Sequence, residues 1–190
     1  ALAQQTAGTS EEPQRWASAS KVYEEFLGDP LRALEATLRA FATDLDAWHG
    51  GRDVIVLLGR GPARAATELG ALVLKESGVM AESLESGLFR HGPFELAGPN
   101  MSAIVMATEP ETRRLDLGLA ADLVDAGSAV MVVTPDGEAP KGARPVATGY
   151  LDRALMSAVG VIPTQLLAWR LAGARGRTPS MVATEASMTT

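Results

Sequence analysis

The sequence has no cysteine and only two histidines in 190 residues. The first absence excludes disulfides, thiol nucleophiles and cysteine-based zinc sites, and the second leaves little material for a nitrogen-rich metal site, so neither a metal nor another cofactor is expected. No run approaches the roughly 20 consecutive apolar residues that a membrane-spanning helix needs, and residues 1–20 lack the charged-then-apolar order of a secretory signal. The chain reads as soluble and cytoplasmic. Basic charge is also short: the net charge is −6 and the pI about 5.0, which argues against nucleic acid or an acidic membrane surface as partner. The arginines of "RLAGARGR", Arg170 to Arg177, do cluster, at what reads as a solvated helix end. No repeat of 20–50 residues is present, which removes solenoids.

An apolar share of 46% with 21% charged residues fits one globular domain with a sizeable core. Residues 1–28 begin small, polar and aperiodic and read as a leader or linker, residues 29–179 as the domain, and 180–190 as a tail. Leu31, Leu34, Leu38, Phe41, Leu45 and Trp48 recur at three- and four-residue steps, one stripe of an amphipathic helix. Asp29 and Pro30 suit its start, and Gly50-Gly51 its stop. His49 falls in its last turn, where the helix dipole favours a cation.

The β-branched runs "DVIVLLG", "SAIVMAT" and "SAVMVVT" read as buried strands, and shorter ones are expected at "GVMAES" and "ARPVAT". Between them lie a helix opened by Pro62 and a crossover helix, "TRRLDLGLAADLVDAG", closed by a glycine. The last apolar stretch should be a helix packed on the sheet and kinked or restarted at Pro163. Strands alternating with helices imply a doubly wound α/β domain with a parallel sheet covered on both faces.

Ligands of such sheets sit beyond the carboxyl ends of the strands. Here the first such end carries Gly59-Arg60-Gly61, where backbone can approach a ligand at a helix N-terminus. The third glycine of a dinucleotide fingerprint is missing. In the helix that follows, Ala65, Leu69, Leu72, Val73 and Glu76 share one arc at about 100° per residue. That arc is expected to face the core or a cleft, with Glu76 at a helix end where negative charge is disfavoured. Such a carboxylate is either a paired structural charge or a base. His91 stands between Arg90 and the turn Gly92-Pro93. Glu76 and His91 together are the pair needed to move protons on and off a sugar carbon and its ring oxygen. Gly59, Arg60, Gly61, Lys75 and Arg90 are the candidate substrate-binding residues around them.

The stretch "LGRGPARAATELGALVLKESGVMAESLESGLFRHGP", with the later "GVIPTQLLAWRLAGARGRTP", resembles the sugar isomerase (SIS) domain family. Within it, the likeness is to the second of the two SIS domains in glucosamine-6-phosphate synthase and to related phosphosugar isomerases, deaminases and deglycases. The resemblance spans Leu31 to Pro179, and Lys75-Glu76 followed by His91-Gly92-Pro93 is its most specific part. It implies an α/β three-layer sandwich of flavodoxin-like type, with a five-stranded parallel sheet between helices. Glu76 is implied to be the base that moves a proton between C1 and C2 of a sugar phosphate. His91 is implied to help open the ring, often in the site of a neighbouring subunit.

Three departures accompany the likeness. The family's hydroxyl-rich phosphate loop is replaced by Glu109-Pro110-Glu111-Thr112, which would repel a phosphate. Val73 stands where a family lysine precedes the glutamate, and no lysine follows Lys141. Three functions stay open: the catalytic half of an isomerase, deaminase or deglycase whose phosphate is held by another domain or subunit; a non-catalytic sugar-phosphate-binding module; and a dimerisation domain. The expected partners are a phosphorylated sugar and a second copy or another SIS domain.

Overall fold

The computed structural model describes residues 48–151 and 153–176, apart from the side chains of Arg153 and Ala154. The leader, most of the first predicted helix and the tail lie outside the described residues. Of that helix, Trp48 and His49 are described and helical.

Five parallel strands form one sheet: β1 (Val54–Gly59), β2 (Ala81–Glu85), β3 (Met101–Met106), β4 (Ala129–Thr134) and β5 (Arg144–Ala147). Their order is β2-β1-β3-β4-β5, the flavodoxin-like order. The helices are α1 (Ala63–Glu76), the short α2 (Ser86–Arg90), α3 (Arg113–Asp125), α4 (Arg153–Gly160) and α5 (Ile162–Ala174). The expected α/β three-layer sandwich is therefore observed.

Residue parity along the strands explains the three layers, because successive side chains leave a strand on opposite faces. Ile55, Leu57, Ile104, Met106, Met131, Val133 and Val146 point to one side and pack with residues of α1, α4 and α5. Val56, Leu58, Ala103, Val105, Val130 and Val132 point to the other and pack with Phe89 of α2 and Leu119, Ala120 and Leu123 of α3. Each fully buried Leu, Ile or Val contributes about 1.5–3 kcal/mol of transfer free energy, so both faces must be covered.

Two helices turn into strands in the same way. After α1, Gly78 at φ 77° lets Gly78 N donate to Lys75 O at 2.9 Å and Val79 N to Leu74 O at 3.0 Å. After α3, Gly127 at φ 90° allows Gly127 N to donate to Val124 O and Ser128 N to Leu123 O. A left-handed residue at that position satisfies carbonyls that the helix leaves open.

The orientation of α1 differs from the expected one. Its buried residues are Ala63, Ala66, Thr67, Gly70, Ala71 and Leu74, while Leu69 and Leu72 are 45% and 52% exposed. The cause is close approach: a Cβ at Gly70 would lie 2.7 Å from Leu57 Cδ2 and 3.0 Å from Thr164 Cγ2. At Gly70 the helix lies so near β1 and α5 that only a small residue fits beneath it, and Leu69 and Leu72 turn outward while Leu74 stays in the core.

The last helical stretch restarts as expected, with α4 ending at Gly160 and Pro163 in the first turn of α5. Contrary to the sequence reading, Leu155–Ala174 is long and apolar enough to match a membrane span, with mean hydropathy 1.3. It is 56% buried within the fold. Val159, Val161, Leu167, Ala168 and Leu171 belong to the core against α1 and the sheet, and that packing accounts for its apolar character.

Candidate functional site

The chain leaves β1 outward to β2 and returns on the other side to β3, so the switch point of the sheet lies between the carboxyl ends of β1 and β3. The first loop there is Arg60-Gly61-Pro62. A Cβ at Gly59 would meet Thr67 Cγ2 at 3.2 Å and Ala63 at 3.4 Å, so this glycine admits α1 rather than a ligand. Gly61 adopts φ 51°, and a Cβ on it would lie 3.9 Å from Glu109 Cγ. Glu109, in the loop after β3, is buried, with its carboxylate beside the Gly61 turn. A carboxylate thus stands where a phosphate cradle would need hydroxyls and amides.

Arg60 is committed to carboxylates of the same chain. Its Nε donates to Asp116 Oδ1 and its Nη1 to Glu85 Oε1, both at 3.1 Å, and the side chain is only 18% exposed. Asp116 is fully buried in the first turn of α3. Burial pushes its carboxyl up, against the opposing pull of Ser86, Arg60 and Thr112. Glu85 ends below its ordinary value: burial pushes it up, but the Gly87 and Leu88 amides with Arg60 and Arg64 outweigh that. Next to this group Arg113 is paired with Asp136 and Glu138 of the loop after β4. Arg60 and Arg113 therefore both have carboxylate partners within the chain.

Glu76 occupies the other end of the molecule. It is the last residue of α1, which runs back from the carboxyl to the amino edge of the sheet. Contrary to the expected inward placement, its side chain is exposed, because the small-residue face of α1 is the buried one. Lys75 beside it is exposed and reaches Glu82 Oε2 at 3.3 Å.

His91 is exposed as well, at the carboxyl cap of α2, where its backbone N donates to Leu88 O at 3.1 Å. Arg90 pairs with Asp122 of α3 at 2.7 Å. Phe89 of α2 and α3 cover one face of the sheet, whereas α1 covers the other. Glu76 and His91 are therefore on opposite layers of one chain. Both belong to its surface.

Sequence reading did not find Asp116, although it left a signal: Asp116, Leu119, Ala120 and Leu123 share one helical face, and a carboxylate on an apolar stripe needs a partner. Glu85 left no comparable pattern. Among the described residues no group of three or more His, Asp or Glu could hold a metal ion.

No family model matches the chain. The isomerizing glutamine–fructose-6-phosphate aminotransferase of Caulobacter vibrioides is 32% identical over 149 residues, which cover 75% of this chain and 24% of that protein. The C-terminal domain of glucosamine-fructose-6-phosphate aminotransferase from Francisella tularensis superposes with a TM-score of 0.69 at 21% identity, over 92% of this chain and 49% of that one. For tagatose-6-phosphate ketose/aldose isomerase from Escherichia coli the TM-score is 0.62 at 23% identity, over 84% and 47%. The two structural matches establish the fold.

With its strand order, these likenesses match the sugar isomerase (SIS) domain fold and the resemblance carried by the sequence. Its likeness within that family is to the second SIS domain of the glucosamine-6-phosphate synthase isomerase region. The chain spans about a quarter of the length of the curated relatives it matches.

Proposed function

We propose that this domain supplies the proton-transfer groups of a sugar-phosphate isomerase, deaminase or deglycase, completed by a second SIS domain or a second copy of the chain. Glu76 takes the base role between C1 and C2, and His91 assists ring opening. Lys75 and Arg90, beside them, are the cations that steer a phosphorylated sugar. The reading rests on one observation above all: the two side chains that match the family's proton-moving pair are both exposed, on opposite layers of one domain. A site that uses both groups has to be assembled between domains, with each copy lending a different one.

The same assembly accounts for the switch point. With Glu109 beside Gly61 and Arg60 held by Glu85 and Asp116, phosphate is held by the companion domain. Leu69 and Leu72 give α1 an exposed apolar stripe leading to Glu76, a surface suited to such a companion. A second reading, a non-catalytic phosphosugar-binding or regulatory module, draws on the absent phosphate loop and on Val73 in place of a lysine.

The two are separated by adding fructose 6-phosphate or glucosamine 6-phosphate and following C2-proton exchange by NMR alongside binding by calorimetry. Glu76→Gln should abolish exchange while leaving the fold and binding intact. Binding by the unaltered protein without exchange would favour the regulatory module. Loss of folding in Glu76→Gln would make Glu76 a structural charge.

A further inference from the structure

The helix that carries His91 is too short to hold itself. Five residues make little more than one turn, and nucleating a turn is unfavourable, so the position of α2 depends on its anchors. Three are present. In the middle, Phe89 is fully buried and meets Phe94 edge to face, with ring centroids 6.0 Å apart. At the carboxyl end Arg90 pairs with Asp122. At the amino end the anchor is Glu85, whose Oε2 accepts from Leu88 N at 2.8 Å while its Oε1 receives Arg60.

Arg60 extends that anchor into the core, because its Nε is bound to the fully buried Asp116. One guanidinium thus joins the end of β1, the end of β2 and the first turn of α3. The group is built tightly: a Cβ on Gly87 would lie 2.8 Å from Glu85 Oε2 and 3.0 Å from Arg60 Nη1. A side chain there would push against the ends of both Glu85 and Arg60. The planar fork of arginine, which lysine lacks, is what reaches two carboxylates at once.

We propose that Arg60, Glu85 and Asp116 form a brace that positions His91, so that Arg60 acts through the α2 loop rather than on the substrate. The inference rests on the reading of His91 as the ring-opening acid. It makes Arg60, Glu85 and Asp116 positioning residues, since none of them needs to touch the sugar.

The test uses Glu85→Ala, which removes cap and charge, and Glu85→Gln, which keeps a cap oxygen. Hydrogen exchange should rise about tenfold at the Leu88 and His91 amides in Glu85→Ala and less in Glu85→Gln, with β1 and β3 amides unchanged. The His91 ring resonances should shift in the same order. In turnover, kcat for a cyclic sugar phosphate should fall with KM little changed, an open-chain analogue should be spared, and Glu85→Ala should add no further loss to His91→Ala. Multiplying losses in the double variant would overturn the brace, and so would unaltered exchange and ring signals in Glu85→Ala. Should Glu85→Ala unfold, Arg60→Lys replaces it: it keeps the cap and weakens the link to Asp116, so the smaller rise expected of Glu85→Gln is expected here too, and unaltered exchange and ring signals would again overturn the brace. If the protein shows no turnover either as its own dimer or with a companion SIS domain added, the isomerase reading fails, while the exchange and ring signals still decide whether the brace holds His91.

Discussion

Replacing Asp116 tests whether the buried carboxylate holds the carboxyl edge together. Its side chain is 0% exposed, binds Arg60 Nε at 3.1 Å and accepts from Thr112 Oγ1 at 3.4 Å. Asp116→Ala removes both contacts and leaves a cavity, but Arg60 keeps Glu85 and is 18% exposed. The loss should therefore fall short of the roughly 3–5 kcal/mol seen when one member of a fully buried pair is deleted, at about 2–3 kcal/mol. In a domain of this size that lowers Tm by about 4–12 °C. Asp116→Asn keeps an oxygen to accept from Arg60, turns an amide N–H toward Thr112 Oγ1 and no longer buries a charge, so its cost should be within about 1 kcal/mol. Thermal and urea melts followed by circular dichroism measure both. Equal losses for Ala and Asn would show that the charge decides, and an Ala variant within about 0.5 kcal/mol of the parent would refute the bonded network as a source of stability.

Acid titration should separate the two carboxylates. Glu85 has a folded value below its ordinary 4.5, so its contribution is fully present above that value and is lost as pH falls through the folded one. Asp116 is raised above 3.8, so its ionisation costs stability that is recovered as pH falls through its folded value. Urea midpoints from about pH 7 to about pH 3 should show a flatter acid limb in Glu85→Gln and a steeper one in Asp116→Asn; the reverse order would sink the assignment. Gly70→Val, placed against Leu57 and Thr164, should destabilise by about 2–3 kcal/mol through overpacking, and a neutral result would mean that α1 can move away from the sheet. Leu72→Glu, on the exposed arc, should alter folding stability by less than about 0.5 kcal/mol yet dissociate the assembly in sedimentation. A parent chain that is monomeric at micromolar concentration would remove α1 as a self-association surface.

The phase of α1 marks where sequence reasoning failed. Leu69, Leu72 and Val73 carry its apolar weight, and an ordinary amphipathic helix would turn them inward. The buried face instead consists of Ala, Gly and Thr with one leucine, which a hydrophobicity pattern ranks below the leucines. Whether a helix approaches a sheet closely enough to require small residues is a property of the packed pair. Glu76 was misplaced for the same reason, because its direction follows the rotation of the helix. The brace was invisible for another: Arg60, Glu85 and Asp116 are 25, 31 and 56 positions apart pairwise, taking Arg60–Glu85, Glu85–Asp116 and Arg60–Asp116 from their numbers.

The order of elements was determined locally. Continuous β-branched runs are the pattern of strands covered on both faces, as in a parallel sheet, and Gly78, Gly127 and Pro163 mark helix boundaries through backbone geometry that no other part of the chain has to supply. Lys75-Glu76 and His91-Gly92-Pro93 could be picked out from their residue types and spacing. Tertiary structure alone decided that Glu76 and His91 stand on opposite layers, that Arg60 is held by two carboxylates, and that Leu69 and Leu72 of α1 face outward. Each of these depends on which surfaces meet when the helices close over the sheet, and such contacts join residues that the linear order keeps apart.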